Sequence, residues 1–154
     1  VFWGMDEMYS AMTVVDFDSN GDGELSDEEA KELARLANES LPDFNFFTNI
    51  EIEGRPYPVK TVTDLLVTFE SGYLNYEFFV PCKVSDNGEK KIIKISPYDP
   101  EYFAAMFFAE DQPVLLENSE GYKITTAIGE DPEKKIYFDM VHPMTLKLTF
   151  QRIP

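Results

Sequence analysis

The sequence predicts an α+β protein, in which an N-terminal helix–loop–helix is attached to mainly antiparallel β-sheets packed like a sandwich. Three observations lead there. Apolar residues recur at helical spacing on both sides of an acidic loop, up to Leu41. From Phe44 onward the pattern changes to alternation, in short runs separated by Gly, Pro, Asn and Asp. The 154 residues are 44% hydrophobic and 14% aromatic, which suits one domain with a packed core rather than a disordered chain.

In the first helix, from about residue 5 to 17, Met5, Met8, Tyr9, Met12 and Val15 share a face. Asp6 and Glu7 fall in its first turn, where a carboxylate complements the helix dipole. We expect the methionine-bearing face to pack into the core rather than to stand open as an adhesive groove. In the second helix Ala30, Leu33, Ala34, Ala37 and Leu41 repeat the pattern. Leu41-Pro42-Asp43 should end it, because proline disfavours helix in the residue before it.

The β portion, residues 45–154, divides at its turn residues. NIEIEG and RPYPVK alternate about a Gly-Arg turn, and TDLLVTFE and YLNYEFFV flank Ser71-Gly72, a hairpin signal. KKIIKIS follows Asp-Asn-Gly, and EYFAAMFF, PVLLE, YKITTAI, KIYFDMV and TLKLTFQ read as further strands. The segment around Tyr102 is also compatible with a helical turn. Short strands at regular intervals favour antiparallel sheets packed face to face. The change near residue 45 reads as a change of architecture inside a single domain spanning 1–154.

Lys+Arg is 13 and Asp+Glu is 29, a net charge of -16. Such a surface repels nucleic acid and anionic lipid and attracts cations or basic partners, so no nucleic-acid partner is expected. No run of 18 apolar residues occurs, so no direct membrane insertion is expected. Cys82 is the single cysteine, which excludes an intramolecular disulfide; it reads as a small apolar residue ending a strand. His142 is the single histidine, which excludes multi-histidine metal sites and points to a hydrogen-bonded structural role. No nucleophile elbow or glycine-rich phosphate loop occurs, and we expect no enzymatic activity.

The most informative stretch is DSNGDGELSDEE, residues 18–29. Asp18, Asn20 and Asp22 fill positions 1, 3 and 5 of a twelve-residue EF-hand calcium loop, with Gly23 at the sharp turn of position 6. Glu24 would offer its backbone carbonyl, Ser26 would bind directly or through water, and Glu29 would close the shell with both carboxylate oxygens. All six donors are hard oxygens, the chemistry of one Ca2+ ion, whereas Mg2+ would bind more weakly. A start at Asp16 would put Asp27 at the closing position, where its side chain is too short. A capping box explains Ser26 and Glu29 alone; it leaves Asp18, Asn20, Asp22 and Gly23 without a reason. No second loop follows, which favours a structural clamp over a cooperative switch.

WGMDEMYSAMTVVDFDSNGDGELSDEE, FFTNIEIEGRPYPV, SGYLNYEFFVP and SPYDPEYFAAMFFAEDQPV together resemble the family of bacterial proteins called domain of unknown function 1007. The resemblance runs from about residue 3 to beyond residue 114. It implies an exported, periplasmic protein accessory to an ABC-type transport system, in some members a nickel or cobalt transporter, and implies no known activity. A membrane transporter or another periplasmic protein is then the expected partner. Members typically begin with a strand carrying His-Pro-His before the tryptophan; Val1-Phe2-Trp3 resembles its trailing end. The chain opens without a methionine, so the expectation is that it begins partway into a processed or longer protein. Two other functions stay open at this point. One is a nickel, cobalt or zinc carrier using His142 or residues absent from the chain. The other is a carbohydrate-acting enzyme with paired carboxylates.

Overall fold

The computed structural model describes every residue except Asp86, Tyr102 and Pro154. It contains two helices and two antiparallel sheets, the α+β class expected. The chain forms two compact units. One comprises Val1–Asp43 and Lys60–Cys82, the other Phe44–Val59 and Lys83–Pro154.

The first unit holds helices α1 (Glu7–Phe17) and α2 (Asp27–Ser40) and strands β1 (Phe2–Gly4), β4 (Thr63–Glu70) and β5 (Tyr73–Phe79). Its sheet runs β1-β5-β4. The β4–β5 hairpin turns at Ser71-Gly72, as expected, with φ of 54° and 85°. Positive φ at both central residues gives the turn whose twist matches that of the strands. One face of β5 carries Leu74, Tyr76 and Phe78, all buried, and Trp3 of β1 joins them. Trp3 meets Phe78 edge-on, with ring centroids 4.9 Å apart. β1 spans three residues, at the place where the family resemblance puts the trailing end of a strand. They are fixed by pairing Trp3 with Tyr76 and by Val1, whose amino group donates to the Phe78 carbonyl at 2.7 Å.

The helices occupy the expected positions, but only one buries the expected face. In α2, Leu33 and Ala37 are buried and the helix packs on β4. In α1, Met8, Tyr9, Met12 and Val15 are exposed, Val15 by 77%, while Ser10 and Val14 are the buried residues. Ser10 explains the rotation. Its hydroxyl donates to the Asp6 carbonyl at 2.7 Å and accepts the buried Leu74 N–H at 2.9 Å, so α1 must present its serine to β5.

The second unit holds β2 (Thr48–Ile52), β3 (Arg55–Tyr57), β6 (Lys91–Pro97), β7 (Tyr122–Glu130) and β8 (Met144–Arg152), in the order β3-β2-β6-β8-β7. The β2–β3 turn uses Glu53-Gly54, one residue earlier than the Gly-Arg turn expected. Ile50, Ile95, Leu146 and Ile128 form one cross-strand row, and Ile52, Ile93, Leu148 and Thr126 the next. Three expected strands are absent. PVLLE is irregular, and so are the described residues of EYFAAMFF; Tyr102, with the helical turn considered there, lies outside the described residues, as does Asp86 of the Asp-Asn-Gly run before KKIIKIS. KIYFDMV folds back on itself, with Ile136 bridging Val141. At the start of EYFAAMFF the Asp99 side chain accepts the N–H groups of Glu101, Phe103 and Ala104, winding the backbone into a turn that a strand cannot accommodate. Cys82 lies beyond the end of β5 and is exposed, not an apolar strand terminus.

Candidate functional site

The acidic loop connects α1 to α2, and the carboxylates of Asp18, Asp22 and Glu29 each fold it in a different way. Asp18 accepts Gly21 N–H at 2.7 Å and Asp22 N–H at 3.2 Å on Oδ1, and Gly23 N–H at 2.7 Å on Oδ2. The chain therefore winds around the Asp18 carboxylate. Gly21 and Gly23 make this possible, with φ of 75° and 81°, a conformation that side chains disfavour. Asn20 Oδ1 accepts Asp22 N–H at 2.8 Å and Asp22 Oδ1 accepts Glu24 N–H at 2.9 Å, each side chain stabilising the turn two residues ahead of it.

Glu29 closes the loop, though through serines. Its Oε1 accepts the Ser19 N–H and hydroxyl, both at 2.7 Å, and its Oε2 accepts the Ser26 N–H at 2.9 Å and hydroxyl at 2.8 Å. Ser26 in turn caps α2 by accepting Glu29 N–H, so the capping box is formed. The Ser19 hydroxyl, followed by the Ser26 N–H, the Ser26 hydroxyl and the Ser19 N–H, holds the Glu29 carboxyl down at about 2. Four donors fill the four acceptor positions of a carboxylate. Ser19 was missed from sequence because it occupies a non-ligand position of the loop pattern. In this arrangement Asp18, Asp22 and Glu29 each face donors rather than one another. Among the described residues no group of three or more His, Cys, Asp or Glu side chains is gathered closely enough to hold a metal ion.

The second unit contains a polar cluster of which the sequence announced only His142, as a hydrogen-bonded residue. On one face of its sheet, Lys94 Nζ lies 2.9 Å from both Asp131 and Glu133, and Lys134 Nζ lies 3.1 Å from Glu51. Burial pushes the Asp131 carboxyl up, but the Lys94 hydrogen bond and the Glu133 N–H outweigh it and the net shift is downward. His142 Nδ1 sits 3.0 Å from the Asp131 carbonyl and 2.8 Å from that of Lys134. Carbonyls only accept, so Nδ1 carries the proton and the ring ties the turn together. Each charge in this cluster has an opposite partner, which describes a structural network. Two hollows of the same unit measure about 340 Å³, beside Glu53, Arg55 and Tyr57, and about 630 Å³, beside Lys123 and Gln151. Neither is lined by a pair of carboxylates.

The family model described as "Protein of unknown function (DUF1007)" matches residues 1–139, which take in both helices, the acidic loop and seven of the eight strands. The chain belongs to this family. An "Uncharacterized 15.5 kDa protein in trpE 3'region" of Spirochaeta aurantia is 26% identical over 137 residues, 89% of this chain and 97% of that protein. No solved structure matches. Within this DUF1007 chain, five of the six residues read as ligands lie in the connection between α1 and α2, and the sixth, Glu29, lies in the first turn of α2.

Proposed function

We propose that the loop of residues 18–29 is an EF-hand-like site for one calcium ion, and that the protein is a non-enzymatic, exported accessory module of a transport system. Asp18, Asn20, Asp22, Ser26 and Glu29 would hold the ion by their side chains and Glu24 by its carbonyl. The observation that carries this reading is the winding of the loop on Asp18 through the N–H groups of Gly21, Asp22 and Gly23. A capped turn needs no such winding, whereas a loop that must turn several oxygens inward does. The donor set fits: every group is a hard oxygen, and Asp22 Oδ2 accepts no hydrogen bond from a described residue. Glu29 would exchange its serine donors for the ion. The ion would offset part of the mutual repulsion of the loop carboxylates and clamp α1 to α2.

Export and the transport partner rest on the family resemblance, and on an acidic surface suited to cations or basic proteins. In this reading the β portion presents the partner-binding surface. The test is a calorimetric titration of chelator-treated protein with calcium, then magnesium, nickel, cobalt and zinc. One calcium site that weakens in Glu29→Gln, with little response to the other ions, is expected. Unchanged calcium affinity in Glu29→Gln would remove the ligand assignment. A tighter nickel, cobalt or zinc site outside the loop would replace this reading with the metal-carrier one, and His142 would be the first residue to mutate.

A further inference from the structure

The four sheet edges are not equally protected. In the first unit β1 is three residues long, and β4 is packed by α2 and interrupted by a register shift between Thr63 and Leu66. In the second unit β3 is three residues long and carries Pro56 with Arg55. These are the usual ways of blunting an edge. The opposite edge, β7, shares only a charged side chain at each end with them, Lys123 and Glu130. It runs nine residues, pairs with β8 without a bulge, and contains no proline.

The ladder also fixes which groups of β7 point outward. Ile153 N–H donates to the Gly121 carbonyl at 2.8 Å, one step beyond the pair Tyr122–Arg152. In an antiparallel ladder bonded pairs alternate, so the odd-numbered residues of β7 bond to β8 and the even-numbered ones face away. Ile124, Thr126 and Ile128 therefore turn their N–H and C=O groups outward, where no described residue bonds them.

We propose that β7 is a self-association edge: two copies of the chain pair antiparallel along β7 about a two-fold axis at Thr126, joining their five-stranded sheets into one. The strand is complementary to itself in this register. Ile124 lies opposite Ile128 of the second copy on the apolar face, Thr126 opposite Thr126, and Tyr122 opposite Glu130. Lys123 meets Gly129, which leaves room for the longer side chain. The outward-facing pairs are the hydrogen-bonded ones, so each exchanges two backbone bonds. Apolar residues directly opposite each other add to the pairing. β7 carries one positive and one negative charge, Lys123 and Glu130, and so does not repel its copy although the chain as a whole carries -16. Self-pairing accounts for this balance better than an unrelated extended peptide, for which the match of Ile124 to Ile128 across a two-fold has no purpose.

Sedimentation equilibrium from about 1 μM to 0.5 mM should show a monomer–dimer equilibrium of the modest strength of a strand-sized interface. It should strengthen with added salt, which screens repulsion between acidic chains. Thr126→Pro removes only an outward N–H and should give a monomer with an unchanged circular dichroism spectrum. Should that variant fail to fold, cross-linking decides. In a Cys82→Ser background, Thr126→Cys should oxidise to a disulfide-linked dimer, since bonded antiparallel partners stand about 5.5 Å apart at Cα, within disulfide reach. Lys123→Cys should not, its copies being about 20 Å apart in this register. A wild-type chain monomeric throughout, a dimer that survives Thr126→Pro, or cross-linking no faster at position 126 than at 123 would each overturn the proposal.

Discussion

The two helices of the first unit have similar sequence signals and opposite relations to the core. In α2 the apolar stripe is the buried stripe: Leu33 and Ala37 are covered, and Glu32, Arg35 and Glu39 form an ion-pair ladder on the solvent side. In α1 the stripe of Met8, Tyr9, Met12 and Val15 faces out and Ser10 faces in. Periodicity therefore located both helices but oriented only one. Burial of an apolar face lowers the free energy roughly in proportion to area. A buried backbone N–H without a partner costs about 1–3 kcal/mol. In α1 Ser10 satisfies the Leu74 N–H of β5, and that local requirement outweighs the general preference for burying methionine.

This contrast can be tested by substitution, and the largest effect should come from α2. Leu33→Ala removes the centre of a correctly buried stripe and should cost about 2–5 kcal/mol in denaturant unfolding, the range for cavity-forming changes. Ser10→Ala should follow at about 1–3 kcal/mol, although it makes the helix more apolar, because the Leu74 N–H then loses its acceptor. A neutral or stabilising Ser10→Ala would mean that the hydroxyl does not set the orientation of α1.

The loop between the helices supplies the next effect. Ser26→Ala removes the cap of α2 and one donor to Glu29, and should destabilise by about 1 kcal/mol. The same carboxylate sets a pH dependence. Its pKa falls from 4.5 to about 2 on folding, so the folded state binds its proton less tightly than the unfolded chain. The stabilisation is fully present above 4.5 and is lost as pH falls through about 2. Acid unfolding followed by circular dichroism should show this loss in the wild type and a smaller one in Glu29→Gln. Calcium added above 4.5 should raise the melting temperature by mass action on the folded state, and Glu29→Gln should reduce that rise.

What could be read in the sequence was what local chemistry decides. Ser71-Gly72 marks a turn because glycine accepts positive φ, and the loop of residues 18–29 is marked by glycines at its sharpest bends, Gly21 and Gly23. The Ser26–Glu29 box was readable for the same reason, as two residues three apart at a helix start. What stayed hidden depends on distant partners. β1 exists because Trp3 finds Tyr76 and Phe78, more than 70 residues away. The pairing of Lys94 with Asp131 joins strand β6 to a turn, with no local pattern in either. PVLLE and the described residues of EYFAAMFF carry strand composition without a neighbouring strand to pair with among the described residues, and composition alone does not supply one. Even within the loop, Ser19 was passed over although it gives Glu29 two of its four donors.

The smallest expected effect is the most discriminating between the two helices. Met12→Gln replaces an exposed residue, 63% accessible, by a polar one of similar length and helix propensity. If α1 lies as described, the change should stay within about 0.5 kcal/mol, as surface substitutions do. The reading from periodicity alone, in which Met12 is a core residue, demands several times more, because a polar amide would enter the core without a partner. Denaturant unfolding of Met12→Gln beside Leu33→Ala therefore separates the two orientations of α1 directly: near-equal losses would return the methionine face to the core, and a loss confined to Leu33→Ala would leave it in solvent.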